Sequence, residues 1–356
     1  MSAVDPGRRI TPVVRLAPAK LNLTLAVVGH RPDGYHALHS VMAPLALSDR
    51  LSLAPDPSPE ARDTLRSEGF DAGPVADNLV LRAIAATRRA VGAHGESLPP
   101  AVAIRLDKRI PVAAGLAGGS SDAAAAIDGV LEAWAATGVL TPAERLAVAA
   151  SIGSDVPFFL SGRPALVEGR GERVTPLRGL RLSPGERPPG VLLVTPAVPA
   201  HTGVVFTAWS AGAMGPPGVA ARSSEHFAAE FGSGMSVKQL MERAGVLAAS
   251  NDLLPAASSV VDGLVALRRA LTRLLVRPIG LSGSGPTLWA LYPSVDDADL
   301  AAAAVRAAAG TGFIPTPGDQ PPFVTATTFL IHAGDPDETD RPIDPDDRPI
   351  DDRRDP

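Results

Sequence analysis

Strand-like and helix-like stretches interleave along these 356 residues, which predicts a mixed α and β fold. Two patterns carry that prediction. In Lys20-Leu21-Asn22-Leu23-Thr24-Leu25-Ala26-Val27 the leucines and Val27 alternate with Lys20, Asn22 and Thr24, the period of a half-buried strand. After Asp122, by contrast, Ile127, Val130, Leu131 and Trp134 recur at helical spacing among alanines. No unit of about 20–50 residues repeats, so a solenoid or propeller is excluded.

Taken in order, residues 13–28 read as a strand that places Lys20 and Asn22 on one side. The loop Gly29–Gly34 leads to a second extended segment ending near Leu53, and 54–77, rich in proline and polar residues, reads as irregular. Asp77 or Asn78 is positioned to cap a helix from Leu79 to about Val91, and Ala101–Asp107 alternates as a strand. Ser120 and Ser121 stand where the N-cap of the next helix is expected. Thr141-Pro142-Ala143-Glu144 has capping-box form with proline in the first turn. Val191–Thr195 reads as a strand and Ala211–Ser224 as an irregular Ala/Gly/Pro-rich insert. Helical patterns over 225–248 and 256–276 precede a turn at Gly280–Gly285, a strand at Thr287–Tyr292, a helix at Asp297–Ala309 and a strand at Phe323–Ile331.

Composition narrows the function classes. With 45% hydrophobic and 20% charged residues, the chain fits an ordinary globular protein. Its last 23 residues, 334–356, hold ten acidic residues against four arginines, net −6, and read as a disordered acidic tail. Taking that −6 from the chain's −5 leaves about +1 on the rest, too little for a nucleic-acid footprint. The absence of cysteine excludes disulfides, thiolate metal sites, iron–sulfur clusters and a cysteine nucleophile. No run approaches the roughly 18–20 apolar residues of a membrane span, and no signal-peptide core follows Met1. A cytoplasmic protein with no membrane or nucleic-acid partner is expected.

Four islands carry chemistry. Pro111-Val112-Ala113-Ala114-Gly115-Leu116-Ala117-Gly118-Gly119-Ser120-Ser121 links a strand to a helix. Its glycines allow backbone N–H groups to approach a ligand, and a helix N-terminus favours anions such as phosphates. A plain glycine turn with a serine cap is the alternative. Neither G-x-x-x-x-G-K-[ST] nor G-x-G-x-x-G is present. Lys20 on its strand face is either a functional cation or a lysine lying along the surface. The turn Arg31-Pro32-Asp33-Gly34 brings Tyr35 beside His36, which suits a planar heterocycle or a packed loop. His36 and His39 lack the cysteines or clustered carboxylates that would complete a metal site. Asp155, in Gly153-Ser154-Asp155-Val156-Pro157-Phe158-Phe159, is a carboxylate before an apolar run, a helix cap if not a reactive group.

Together these islands resemble the galactokinase/homoserine kinase/mevalonate kinase/phosphomevalonate kinase (GHMP) superfamily. Gly115–Asp122 is similar to its phosphate loop, and Leu281-Ser282-Gly283-Ser284-Gly285-Pro286-Thr287 to its C-terminal motif. Ala17–Leu23, Arg31–His36, Gly153–Phe159, Glu168–Glu172 and Ser250–Leu253 resemble the branch acting on a cytidine-diphosphate polyol. The resemblance implies an α+β fold of two lobes, with an ATP-binding lobe at 10–185, a ferredoxin-like substrate lobe at 186–333 and the site between them. It implies ATP-dependent phosphorylation of the 2-hydroxyl of 4-(cytidine 5′-diphospho)-2-C-methyl-D-erythritol in non-mevalonate isoprenoid precursor synthesis, with Mg²⁺ accompanying ATP. By the same resemblance Lys20 and Asp155 are catalytic, Pro111–Ser121 bind ATP, and Asn22, Tyr35 and His36 bind substrate, the last two near cytosine. Ala114 and Ala117 stand where the family pattern has glycine, and His201 where it has a small residue.

Overall fold

The computed structural model describes residues 11–58, 60–95, 98–212 and 219–331. The alternation at the N-terminus becomes β1 (Val13–Asn22), followed by β2 (Ala26–His30) and the 21-residue β3 (His36–Asp56). The long β3 is the spine of the first sheet. Its residues 42–53 pair with β1 and residues 36–39 with β2, so two shorter strands share one long partner. β4 (Thr64–Gly69) pairs in parallel with β5 (Ala101–Lys108), which flanks β3. Between them lies α1 (Leu79–Gly92), whose N-cap Asn78 accepts a bond from Val80 N.

Helices α2 (Gly118–Ala133), α3 (Pro142–Ile152) and α4 (Val156–Ser161) follow, then β6 (Ala165–Gly169) and β7 (Arg173–Pro176) complete the sheet order β4-β5-β3-β6-β7. The Thr141/Glu144 capping box starts α3 as its spacing predicts. α1 and α2 bury Val80, Ile84, Ile127, Val130 and Leu131 against Leu51 and Leu53 of β3 and Ile104 and Leu106 of β5.

The second half contains β8 (Gly190–Thr195), α5 (Thr202–Ser210), α6 (Val219–Ser233), α7 (Val237–Ala249), α8 (Leu254–Val260), α9 (Leu264–Leu275), β9 (Gly280–Leu281), β10 (Leu288–Tyr292), α10 (Val295–Gly310) and β11 (Phe323–Thr328). Its antiparallel sheet runs β11-β8-β10-β9, which is the fourth, first, third and second strand in chain order. That order is ferredoxin-like. A shared core joins the halves: Ala19, Leu21 and Leu23 meet Val191, Leu193, Trp289 and Phe231.

Several boundaries differ from the sequence expectations. The expected strand 13–28 breaks at Leu23–Leu25, because Leu23 N bonds Val41 O while Leu25 N bonds Ser250 O in the other half. The stretch 54–77 is not all irregular: it holds β4, an edge strand with only Leu65 buried, so it has no alternation to detect. Helix 225–248 divides into α6 and α7, helix 256–276 into α8 and α9, and Val219–Ser224 belong to α6 rather than to an irregular insert. The acidic tail at 334–356 and residues 213–218 of the expected insert lie outside the described residues.

Candidate active site

One cavity of about 360 Å³ opens between the two halves, bordered by Lys20, Asn22, Gly115, Gly119, Asp155 and Phe206. Lys20 and Asn22 reach it because they share one face of β1, as the alternation predicts. The Lys20 ammonium is buried and donates to Asn22 Oδ1 at 2.5 Å and to Gly115 O at 2.8 Å. Asn22 Nδ2 in turn donates to Ser40 Oγ at 2.8 Å, and Ser40 Oγ to Thr24 O at 2.6 Å. Burial lowers the pKa of Lys20 while the charge of Asp155 opposes that shift. Asp155 therefore acts on this ammonium across the cavity without a hydrogen bond to it.

The glycine segment wraps the other side. Lys20 N bonds Leu116 O, Ala200 N bonds Ala113 O, Thr287 N bonds Ala114 O and Ser282 Oγ bonds Gly115 O. Gly115 has φ +76°, and a Cβ there would overlap the Ser282 carbonyl oxygen, so this contact requires glycine. α2 begins at Gly118, with Ala117 as N-cap at φ 55° and ψ 32°. Ser120 and Ser121 thus lie inside the first turn and do not cap it, contrary to the sequence expectation. The backbone itself turns the corner through the left-handed region, so no cap hydroxyl is used. The N–H groups of Gly118, Gly119 and Ser120, without intrahelical acceptors, point an anion-binding helix end at the cavity.

Pro111–Ser120 border the cavity except Leu116, which is buried in the shared core. Ser121 is buried behind the loop, its Oγ without a partner. Of the two alanines at glycine positions, Ala117 takes a left-handed conformation, as does Ala113 at φ 52°, whereas Ala114 does not.

Neither Tyr35 nor His36 borders the cavity. The His36 ring stacks on Phe206 of α5, with centroids 5.0 Å apart and planes inclined by 22°, and meets the edge of Trp209. Its Nε2 is 2.9 Å from Ser210 Oγ. Burial, aided by the neighbouring His30, lowers its pKa and favours the neutral ring. Tyr35 is half exposed, with the Arg170 guanidinium 5.3 Å from its ring centroid. The structure thus joins Lys20, Asn22, Asp155 and the glycine loop at one cavity; His36 meets it only through Phe206, and Tyr35 is not among the residues that border it.

The profile described as GHMP kinases N terminal domain matches residues 78–163. The 4-diphosphocytidyl-2-C-methyl-D-erythritol kinase of Paramagnetospirillum magneticum is 39% identical over 299 residues, 82% of this chain and 93% of that one. The chain belongs to this kinase family. The Symbiobacterium thermophilum member is 47% identical over a shorter stretch, covering 53% of this chain and 61% of its own. A crystal structure of 4-(cytidine 5′-diphospho)-2C-methyl-D-erythritol kinase superposes with TM-score 0.61 at 31% identity, covering 88% of this chain and 99% of that one. The two-lobed α+β fold and the kinase family that the sequence motifs implied both hold.

Three features of this kinase were given no role from the sequence. Phe206 and Trp209 lie one helical turn apart in a chain with only 4% aromatic residues, the one signal that marks them. Asn251 donates to Leu281 O and Gly283 O and accepts from Leu253 N, pinning the C-terminal motif. Beneath the glycine loop, buried Lys108 pairs with Asp49 and, at 2.8 Å, with Asp122. Asp49 also accepts from Arg109 N and Ile110 N. Burial pushes the Asp122 carboxyl up to about 7 against the opposing pull of Lys108, with Asp49 adding to the rise. One oxygen of Asp122 has no partner.

Proposed function

We propose that this cleft transfers the γ-phosphoryl group of ATP to the 2-hydroxyl of 4-(cytidine 5′-diphospho)-2-C-methyl-D-erythritol, a step of non-mevalonate isoprenoid precursor synthesis. The observation that carries the mechanism is the buried Lys20 ammonium, held by Asn22 and Gly115 O and facing Asp155 across the cavity that the glycine loop borders. Phosphoryl transfer needs an oriented hydroxyl and stabilised charge more than covalent help from the protein. Asp155 orients the hydroxyl and accepts its proton. Lys20 faces that carboxylate and stabilises charge on the transferring group. The Pro111–Ser121 segment cradles the triphosphate, with the free N–H groups of Gly118, Gly119 and Ser120 at the start of α2 as donors. Asn22 positions the acceptor, while Tyr35 and His36 contact the cytosine.

In this reading residues 10–185 form the ATP-binding lobe and 186–333 the substrate lobe. Among the described residues no group of three or more His, Asp or Glu could hold a metal ion. Ser121 Oγ is buried behind the loop and does not border the cavity, so Mg²⁺ that arrives with ATP would be held mainly by phosphates and water. Such an ion neutralises triphosphate charge. No helix among the described residues is long and apolar enough to cross a membrane. Small molecules are the expected partners.

The test is ADP release from ATP with and without the cytidine diphosphate substrate. Substrate-dependent release, abolished by omitting the substrate, is the expected result. Release that ignores the cytidine compound but responds to mevalonate or homoserine would discard the substrate assignment.

A further inference from the structure

A turn remote from the cavity touches both the loop that carries Tyr35 and the approach to Asp155. Glu168-Gly169-Arg170-Gly171-Glu172 joins β6 to β7. On one side it holds the Tyr35 loop. The Arg170 guanidinium lies over the Tyr35 ring at 5.3 Å, and Glu172 Oε1 pairs with Arg31 Nη1 at 3.1 Å. Arg31 also pairs with Asp33, whose Oδ1 accepts from Tyr35 N at 3.2 Å, so the ion pairs continue to the backbone of Tyr35. On the other side it holds the segment leading to Asp155. Arg170 Nη2 donates to Ala150 O, at the end of α3, at 3.2 Å. Gly171, at φ +130°, lies so close that any Cβ would overlap the Ser154 carbonyl oxygen. The turn is braced internally, because Glu172 Oε2 accepts from Arg170 N at 2.7 Å.

We propose that this turn sets the Tyr35 loop and Asp155 at a fixed separation, with Arg170 as a positioning residue for the cytidine substrate. The inference rests on the substrate role of Tyr35 and the catalytic role of Asp155 proposed above. Arg170 has two jobs. Its face orients an aromatic ring that is otherwise half exposed, and its edge donates to the end of α3. Glycine at 171 lets the turn press on Ser154. With the cytosine bound at Tyr35, the methylerythritol end of the substrate is therefore registered against the carboxylate that receives its hydroxyl proton, which is how remote binding reaches a reacting centre.

The experiment compares Tyr35→Ala, Arg170→Ala, Arg170→Lys, Gly171→Ala and the Tyr35/Arg170 double alanine variant of the full chain. It reads kcat, the KM of each substrate and the thermal midpoint. Tyr35→Ala and Arg170→Ala should each raise the cytidine-substrate KM about tenfold with ATP KM unchanged, and the double variant should be little worse. Arg170→Lys should fall between, since an ammonium cannot stack on the ring and reach Ala150 O together. Gly171→Ala should lower kcat about tenfold by displacing Ser154, with less effect on either KM. If Tyr35→Ala raises the substrate KM but Arg170→Ala does not, the inference falls and the substrate reading survives. If Tyr35→Ala leaves that KM unchanged, both fall. An Arg170→Ala variant that raises both KM values in step with a lowered midpoint shows a merely structural turn and overturns the inference. Should Gly171→Ala not fold, the Arg170 pair decides.

Discussion

Lys20 is a cation that burial works against and one carboxylate across the cavity sustains. Replacing Asp155 by Asn keeps its shape but removes proton acceptance. Turnover should drop about 10²–10⁴-fold with both KM values nearly kept. Lys20→Met should do comparable damage, and because the lysine works partly through the aspartate, the double variant should be close to the poorer single one. Steady-state rates of the three proteins check this; fully multiplicative losses would show independent action. The depressed lysine pKa has a sign. Activity that needs the ammonium should fall with rising pH earlier than free lysine titrates, near 10.4. A wild-type profile flat up to that pH would contradict it. Folding stability moves the opposite way, rising as pH climbs from the lowered native pKa toward the unfolded value, since the unfolded chain then binds more protons.

The elements around the phosphate loop differ in how they depend on glycine. Gly115 is left-handed and pressed on Ser282 O, so Gly115→Ala should cost roughly 1–3 kcal/mol of stability and weaken ATP binding through displacement of the C-terminal motif. Gly118 has ordinary helical φ, and its constraint is space, with a Cβ meeting Ile110 at 3.0 Å and Lys108 Nζ at 3.1 Å. Gly118→Val should therefore raise ATP KM by disturbing the Lys108 cluster, while Gly119→Ala, with only Leu79 at 3.9 Å, should be the mildest of the three for folding. Thermal midpoints and ATP titrations rank them, and an unaffected Gly115→Ala would refute the contact argument. Asp122, raised to about 7, contributes stability that is full below the unfolded carboxyl value of 3.8 and is lost as pH rises through 7. Asp122→Asn should flatten the midpoint-versus-pH curve between about 4 and 7. An unchanged slope would assign the dependence elsewhere.

At the scale of the molecule, the two lobes share a core in which Leu21 and Leu23 meet Val191, Leu193, Trp289 and Phe231. Domains joined by a small polar interface unfold apart, whereas a common apolar core couples them. One calorimetric transition is expected. Phe231→Ala, at a fully buried ring, should cost about 3–5 kcal/mol and move that transition as a whole. A split into two transitions in the wild type would show that the lobes fold independently. The chain crossing at Leu25, which bonds Ser250 O and pairs with Asn251, is a second tie between them.

Periodicity was enough to put Lys20 and Asn22 on one face, to place α2 after the glycine segment and to mark the Thr141 cap, because these depend on spacing within a few residues. The motifs likewise made the kinase family legible. Other features were beyond that reach. The break at Leu23–Leu25 is set by carbonyls of Val41 and Ser250, and β4 exists only because β5 pairs with it. His36 meets Phe206 across 170 positions of sequence, and Lys108 finds Asp49 on another strand. Local sequence alone determined which groups could do chemistry, through their donors, charges and allowed backbone angles. Tertiary structure decided which of them meet, because buried polar groups take their partners and their proton affinities from whatever the fold packs against them.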